Sequence, residues 1–214
     1  MVMEPPFRKI LIANRGEIAI RIARAAYELG IQTVGIFAFE DRFSLHRYKT
    51  DESYQLGGEG EPREAYLKME RILQLAQDTG CEAIHPGYGF LSENSSFAAL
   101  CQGAGIKFIG PSAKVLDQFG DKVKAREIAE RAGLPLIPGT QKPVDSLKEA
   151  TSIAADLGYP VTVKAISGGG GKGIRIVSKP EDLREAIERT QSEAQISFGQ
   201  SGVYLEKTIE QPKH

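Results

Sequence analysis

The amino-acid sequence predicts an α/β fold in two parts, a parallel β-sheet covered by helices and, after it, a smaller α+β unit. Up to residue 110, short β-branched runs alternate with stretches whose apolar residues recur at helical spacing, which is the pattern of βαβ units. From Pro111 the pattern changes, and a segment rich in proline and glycine at 134–146 is typical of a hinge or linker. Beyond it, helices and short strands surround four consecutive glycines, Gly168–Gly171.

The first part alternates strand and helix along its length. Strands are predicted at 8–14, 32–39, 82–86 and 106–110, and helices at 16–30, 64–80 and 94–105. Gly30 and Gly80 end the first two helices, because glycine readily takes the conformation that closes a helix. Strands joined through helices lie parallel with right-handed crossovers, so we expect a Rossmann-like sheet.

The second part is predicted to begin with helices and to end with a strand. The helices are expected at 112–133 (a pair interrupted at Gly120), 147–158 and 180–198, and the strands at 161–165, 174–177 and 202–209. The sequence stops a few residues after the last strand. We therefore expect this unit to be truncated, or completed by a segment outside the 214 residues.

The composition excludes several classes of protein. With 41% hydrophobic and 26% charged residues the chain can fill a core, and its net charge of -1 gives no reason to expect a nucleic acid or membrane partner. No apolar run approaches the roughly 20 residues that cross a bilayer, and no secretory signal is visible, so a cytoplasmic location is expected. Cys81 and Cys101 are then expected to be reduced, packed thiols.

The glycine-rich segment SGGGGKG, residues 167–173, meets the requirements of neither of the two best-known glycine motifs. The dinucleotide-binding motif must open a helix, but here the strand IRIV follows. The P-loop pattern fails because Lys172 is followed by Gly173 rather than by Ser or Thr. A glycine loop between two strands suits a flap whose backbone amides close over phosphates. The kinase sequences H-R-D and D-F-G are absent, which excludes that family.

Lys164 lies on the strand that enters this flap. Strand alternation puts Val161 and Val163 on one face and Thr162 and Lys164 on the other. A lysine beneath a phosphate flap is placed to contact an α- or β-phosphate. The alternative is a solvated lysine beside a surface hairpin, whereas the flanking β-branched strands disfavour a flexible linker.

Five segments resemble, in order, the motifs of biotin carboxylases, which are ATP-grasp enzymes that carboxylate biotin. They are ILIANRGEIAIRIARA, IHPGYGFLSEN, FIGPSAKVLDQFGDKVKAR, YPVTVKAISGGGGKGIRIV and VYLEKTIEQPKH. The resemblance covers essentially the whole chain. Within the family, residues 40–57 are most similar to the pyruvate carboxylase branch, and the acetyl-CoA and other acyl-CoA carboxylases remain the alternative.

The resemblance implies four segments. They are a biotin carboxylase N-terminal α/β domain of the PreATP-grasp type at 1–111, a helical connector at 112–140, the ATP-grasp lid subdomain at 141–205, and the start of the C-terminal ATP-grasp subdomain at 206–214.

The resemblance also implies a nucleotide site. Lys122 and Lys164 resemble the two lysines that bind the phosphates, although Lys122 alone would read as an ordinary lysine at a helix start. The lid loop corresponds to Gly168, Gly169, Gly170 and Gly171. Lys172 stands where many members carry arginine, which keeps the charge and loses the bidentate fork.

The segment LEKTI resembles the one that reads adenine through backbone groups. Its matching residues are Glu206, Lys207 and Ile209, with a side-chain role near the base for Glu206. Alone, the segment would read as an edge strand. His214 matches the histidine that approaches the ribose.

The turn HPGYGF resembles the side of the site that receives bicarbonate and biotin. Tyr88 and Gly89 are the residues expected there. His85 is interpreted as a buried, hydrogen-bonded residue at a strand end rather than as a general base. Asn14 and Arg15 are expected to fix the first strand-to-helix turn rather than to contact a ligand.

In the family, bicarbonate attacks the γ-phosphate of ATP, held with Mg²⁺ or Mn²⁺, to give carboxyphosphate, which decomposes to the CO₂ that carboxylates biotin. The metal-binding carboxylates, the base and the essential arginine belong to the family's following region. We therefore expect no catalytic residue or metal ligand within these 214 residues and no activity from the chain alone. The implied partners are the biotin carboxyl carrier domain, the remainder of the carboxylase and a possible second copy. A non-catalytic nucleotide-binding module, or half of a split protein, is the alternative.

Overall fold

The computed structural model describes residues 5–166, 173–198 and 201–213, except for the side chains of residues 122, 123, 197 and 198. The chain forms two compact units, Met1–Asp121 and Lys122–His214. The predicted α/β class is confirmed, with a parallel sheet in the first unit and an antiparallel sheet in the second.

The first unit is a five-stranded parallel sheet in the order β3-β2-β1-β4-β5. Its strands are β1 (Lys9–Ile12), β2 (Gln32–Phe37), β3 (Glu52–Gln55), β4 (Ala83–His85) and β5 (Lys107–Phe108). Its helices are α1 (Gly16–Glu28), α2 (Met69–Asp78), α3 (Ser95–Gly103) and α4 (Ala113–Gly120). Leu11 pairs with Val34 and Ile84 in the centre of the sheet, and all three are completely buried. Both faces of the sheet carry apolar clusters, as expected when helices cover a parallel sheet.

Two features of the first unit differ from the prediction. The strand β3 was not predicted, because Glu52, Ser53, Tyr54 and Gln55 show no apolar alternation at this sheet edge. The helix predicted over 64–80 divides into a 3-10 turn at Glu64–Tyr66 and the helix α2. Tyr66 explains the division, since its fully buried hydroxyl donates to Asp41 Oδ2 at 2.7 Å and accepts from Ala38 N–H at 3.1 Å. These contacts hold the turn apart from the helix.

The second unit packs helices on a three-stranded antiparallel sheet in the order β7-β6-β8. Its strands are β6 (Val161–Ala165), β7 (Ile174–Val177) and β8 (Val203–Lys207), and its helices are α5 (Lys122–Arg131), α6 (Leu147–Leu157) and α7 (Leu183–Phe198). Ser146 caps α6 by accepting from Glu149 N–H at 3.2 Å. The two helices predicted within 112–133 correspond to α4 and α5, which fall in different units. The predicted subdomain boundaries at 111, 140 and 205 stay predictions.

The strand register gives the second sheet two different faces. One, the helix face, carries apolar residues that pack against α6 and α7, among them Val161, Val163 and Leu205, all completely buried. The other, called the cavity face below, carries Thr162, Lys164, Ile174, Ile176, Tyr204 and Glu206. The predicted alternation, with Lys164 opposite Val161 and Val163, is confirmed.

Both cysteines are free and buried, as predicted. Among the described residues, no helix is long and apolar enough to span a bilayer.

Candidate functional site

A cavity of about 310 Å³ lies on the cavity face of the second unit. We call it the Lys164 cavity. It is lined by Arg126, Thr140, Gln141, Lys164, Ala165, Ile174, Tyr204 and Glu206. Its walls therefore combine three charged side chains with hydroxyl, amide and aliphatic groups, which suits a ligand with both an anionic and an apolar part.

Lys164 and Glu206 form an ion pair inside the cavity. Lys164 Nζ donates to Glu206 Oε2 across two neighbouring strands, β6 and β8. The lysine side chain is 35% exposed and the glutamate side chain 20%. The pair is thus held in a fixed place by the sheet while the ammonium group stays accessible from the cavity.

Arg126 of α5 is the second cation of the cavity. Its guanidinium donates from Nη2 to the Ile137 carbonyl oxygen at 2.7 Å, which fixes the side chain. Its Nη1 lies 3.9 Å from Glu206 Oε1, within ion-pair range but too far for a hydrogen bond. One carboxylate therefore stands between two cations, and these three groups together carry a net positive charge.

The segment 138–140 borders the cavity and pairs with β8. Thr140 N–H donates to the Leu205 carbonyl at 2.8 Å, and Thr140 Oγ1 accepts from Leu205 N–H at 3.2 Å. Lys207 N–H donates to the Pro138 carbonyl at 2.8 Å, and Gly139 forms an antiparallel bridge with Glu206. These contacts fix the backbone of β8 at Glu206, and thereby the point from which its side chain enters the cavity.

Lys207 and Ile209 are placed differently from Glu206. Lys207 Nζ donates to the carbonyl oxygens of Gly158 at 2.7 Å and Tyr159 at 3.4 Å. Its side chain is therefore hydrogen-bonded to the turn that precedes β6. Ile209 follows β8 and is 55% exposed. The roles predicted for these two residues are backbone roles, which remain predictions.

Several predicted site residues lie outside the described residues. They are Gly168, Gly169, Gly170, Gly171 and His214, together with the side chain of Lys122, whose backbone begins α5.

Six residues of the Lys164 cavity were missed by sequence analysis. They are Arg126, Thr140, Gln141, Ala165, Ile174 and Tyr204. Strand alternation could have found Tyr204, which stands two residues before Glu206 and pairs with Lys164. Helical spacing could have found Arg126, which follows Lys122 by one turn of helix. No sequence signal marks Thr140 and Gln141 within the proline- and glycine-rich segment.

In the first unit, Asn14 clamps the HPGYGF turn onto the end of β1. Its Nδ2 donates to the carbonyl oxygens of Pro86 at 2.6 Å and Tyr88 at 2.8 Å, and its Oδ1 accepts from Arg15 N–H at 2.9 Å. The side chain is 3% exposed. The bond from Arg15 N–H lies in the first strand-to-helix turn, where a structural role was expected of Asn14, while the bonds to Pro86 and Tyr88 were not predicted.

In the HPGYGF turn, Tyr88 is exposed and His85 is the last residue of strand β4. Tyr88 is 62% exposed and donates its hydroxyl to Glu17, while Gly89 has a φ of 66° that favours glycine. His85 Nδ1 accepts from Gly87 N–H at 3.1 Å, and burial lowers the pKa of the ring below its ordinary value. The imidazole is half-buried rather than buried. Because Nδ1 accepts a hydrogen bond, the neutral ring carries its proton on Nε2.

Arg15 supports the same turn from the side. Its guanidinium stacks over the rings of Tyr66 and Phe90 at 5.5 and 5.6 Å, and its Nη1 lies 3.2 Å from Asp41 Oδ2. Burial raises the pKa of Asp41, but hydrogen bonds from Tyr66, Ser44 and Arg15 outweigh it, so the pKa lies below its ordinary value. The carboxylate is therefore ionised at neutral pH and balances Arg15.

Comparison with known proteins gives the family. The family model of the biotin carboxylase N-terminal domain matches residues 6–116, more than half of the chain. The chain belongs to the biotin carboxylase family. The model of the carbamoyl-phosphate synthase L chain, ATP binding domain, matches residues 121–214. The predicted family is confirmed, and the Lys164 cavity lies in the part matched by an ATP-binding domain.

The curated relatives of this biotin carboxylase chain are much longer proteins. It is 56% identical over 207 residues to pyruvate carboxylase of Staphylococcus aureus, 53% to that of Bacillus subtilis over 207 residues, and 48% to the mitochondrial enzyme of Homo sapiens over 209 residues. These matches cover 97–98% of this chain. The chain spans 18% of the length of each of these relatives.

Solved structures of biotin carboxylases share the fold. The biotin carboxylase domain of Hydrogenobacter thermophilus 2-oxoglutarate carboxylase, in complex with MgADP and bicarbonate, is 48% identical with a TM-score of 0.84, covering 95% of this chain and 45% of that one. A biotin carboxylase–β-γ-ATP complex from Campylobacter jejuni is 40% identical with a TM-score of 0.87, covering 96% and 46%. Rhizobium etli pyruvate carboxylase is 47% identical with a TM-score of 0.80, covering 96% and 18%.

Proposed function

We propose that this chain forms the nucleotide-binding part of a biotin carboxylase of the pyruvate carboxylase type, which uses MgATP and bicarbonate to carboxylate biotin. The observation that carries this proposal is the Lys164 cavity, where an accessible lysine ammonium, paired with Glu206, lies in the part matched by an ATP-binding domain. The pyruvate carboxylase type is proposed because curated pyruvate carboxylases are 48–56% identical to this chain.

The residues of the Lys164 cavity fit a nucleotide. Lys164 and Arg126 supply positive charge for a polyanion, and Ala165 and Ile174 supply apolar wall for a base or ribose. Among the described residues, no group of three or more His, Cys, Asp or Glu side chains could hold a metal ion. The nucleotide would supply the phosphoryl group, while Lys164 holds a phosphate oxygen and neutralises its charge, which is the protein's main task in phosphoryl transfer.

The other site residues complete this proposal. Lys122 and the loop Gly168–Gly171 would contact the phosphates, and His214 would approach the ribose. Adenine would be read by Glu206 and by backbone groups of Lys207 and Ile209. Ile209, which follows β8, is 55% exposed, and this supports access of a base to its backbone.

Tyr88 and Gly89 are proposed for the bicarbonate and biotin side. They follow β4 at the carboxyl edge of a parallel sheet, where α/β proteins bind ligands. The exposed Tyr88 ring and the fixed turn behind it support this placement. The biotin carboxyl carrier domain and the remainder of a longer carboxylase are the proposed partners.

Titration with MgATP tests the proposal. We expect the wild-type chain to bind MgATP and Lys164→Ala to bind it at least about tenfold more weakly, since a charge-assisted contact to phosphate is lost. Lys148→Ala, which removes an exposed lysine of α6 outside the cavity, should bind as the wild type does. Equal affinities for wild type and Lys164→Ala, or no binding by either, would contradict the proposal.

An assay of ATP cleavage by the wild-type chain distinguishes a catalytic chain from one that only binds the nucleotide. We expect no bicarbonate-dependent cleavage of ATP by the 214 residues alone, because no group of three or more His, Cys, Asp or Glu side chains among the described residues could hold a metal ion. Biotin-dependent release of phosphate would show that this expectation is wrong.

A further inference from the structure

Glu206 makes a hydrogen bond with one of its two neighbouring cations and a longer contact with the other. Lys164 makes the hydrogen bond to one carboxylate oxygen, while Arg126 stands 3.9 Å from the other. Glu206 and Arg126 side chains are only 20% and 23% exposed, so the solvent screens this carboxylate poorly. A carboxylate in such surroundings needs a cation whenever it is ionised.

If the Lys164 ammonium turns from Glu206 to a phosphate, the carboxylate loses its hydrogen-bonded cation. The lysine ammonium is a single point charge on a flexible stem, and it can turn from the carboxylate to a phosphate. Glu206 would then present an uncompensated negative charge beside a polyanion. Binding of the phosphates is therefore opposed unless another cation neutralises the carboxylate.

We propose that Arg126 is a positioning residue that takes over Glu206 when Lys164 turns to the phosphates of a nucleotide. This inference rests on the proposed function and deepens it. The Ile137 carbonyl holds one prong of the guanidinium and leaves Nη1 directed at Glu206. A movement of about 1 Å would convert the present contact into a charge-assisted hydrogen bond.

The geometry explains why arginine suits this position. A guanidinium can keep its hydrogen bond to Ile137 and bind Glu206 at the same time, because its donors are fixed in a planar fork. Arg126 acts on the phosphates only through Glu206 and Lys164.

The test compares ATP with adenosine, which has no phosphates. Arg126→Gln should weaken binding of ATP about five- to tenfold, because Glu206 retains Lys164, and should change adenosine binding by less than about twofold. In a Glu206→Gln background, Arg126→Gln should leave ATP affinity unchanged, since no carboxylate remains to be neutralised. Arg131→Gln, an exposed arginine on the same helix, is the matched control and should change neither affinity.

The outcomes separate the possible roles of Arg126. Equal losses for ATP and adenosine would assign a structural role and overturn the inference. If Arg126→Gln weakens ATP binding in the Glu206→Gln background as much as it does in the wild-type background, Arg126 contacts the phosphates directly. That result would overturn the inference as well. Unchanged ATP affinity in Arg126→Gln would also overturn it, while the proposed function would stand. Absence of ATP binding by the wild type would overturn both.

A second variant guards against misfolding of Arg126→Gln. Arg126→Lys keeps the charge and loses the fork, so we expect ATP affinity between those of the wild type and Arg126→Gln, with adenosine binding unchanged. Full wild-type affinity for ATP would show that the fork held by Ile137 is unnecessary and would overturn the mechanism.

Discussion

Replacement of Asn14 by aspartate should destabilise the first unit by about 3–5 kcal/mol. The Asn14 amide nitrogen donates to the carbonyl oxygens of Pro86 and Tyr88, at 2.6 and 2.8 Å. Aspartate would put a negatively charged oxygen against these two acceptors, in a position that is 3% exposed. Two hydrogen bonds would be lost, and a buried charge would be added whose one remaining hydrogen-bond donor is Arg15 N–H.

Chemical denaturation of Asn14→Asp and Asn94→Asp measures this effect with the same chemical change at two sites. Asn94 caps α3, and its Oδ1 accepts from Phe97 N–H at 2.8 Å. An aspartate can accept the same bond and is favoured at a helix start, so Asn94→Asp should change stability by less than about 0.5 kcal/mol. Equal losses of stability in the two variants would show that the Asn14 donors do not hold the turn.

Replacement of Gly139 by alanine should destabilise the second unit by about 2–4 kcal/mol and disturb the Lys164 cavity. A Cβ atom at Gly139 would lie 2.5 Å from the Leu205 carbonyl oxygen and 3.0 Å from Glu206 Cα. Both are backbone atoms of β8, so they can give way only if the strand moves. Because Gly139 bridges Glu206, that movement would displace the Glu206 carboxylate from its two cations.

Thermal unfolding and MgATP titration of Gly139→Ala measure the two consequences together. Gly103→Ala is the control, since a Cβ there would meet nothing within 4 Å and the residue lies in α3. Alanine in a helix should leave that variant unchanged or more stable by about 0.5–1 kcal/mol. A Gly139→Ala protein with wild-type stability and affinity would contradict the tight approach of segment 138–140 to β8.

The sequence predicted the elements whose patterns are strongest. Strand alternation around Lys164 and helical spacing around α1 and α6 correspond directly to the observed faces, because these elements bury one side. The strand β3 escaped prediction because an edge strand with polar residues is stabilised by pairing with β2, which no local pattern reveals.

The cavity could be predicted only in part. Lys164 was singled out by its place on the strand that enters the glycine loop and by resemblance, and Glu206 by resemblance alone. Their pairing depends on the antiparallel register of β6 and β8, which lie about forty residues apart along the chain. Arg126 and Thr140 join them through tertiary contacts of α5 and of an irregular segment. The contacts of Thr140 follow from the folded backbone rather than from any residue pattern, whereas helical spacing from Lys122 points to Arg126.

Amine labelling of the chain with and without MgATP, read by mass spectrometry, decides most directly whether Lys164 contacts the nucleotide phosphates. Lys164 is 35% exposed and therefore open to labelling in the free protein. We expect MgATP to protect Lys164 strongly, while the exposed Lys148 and Lys179 react equally in both states. Labelling of Lys164 that stays unchanged at saturating MgATP would contradict the proposed phosphate contact.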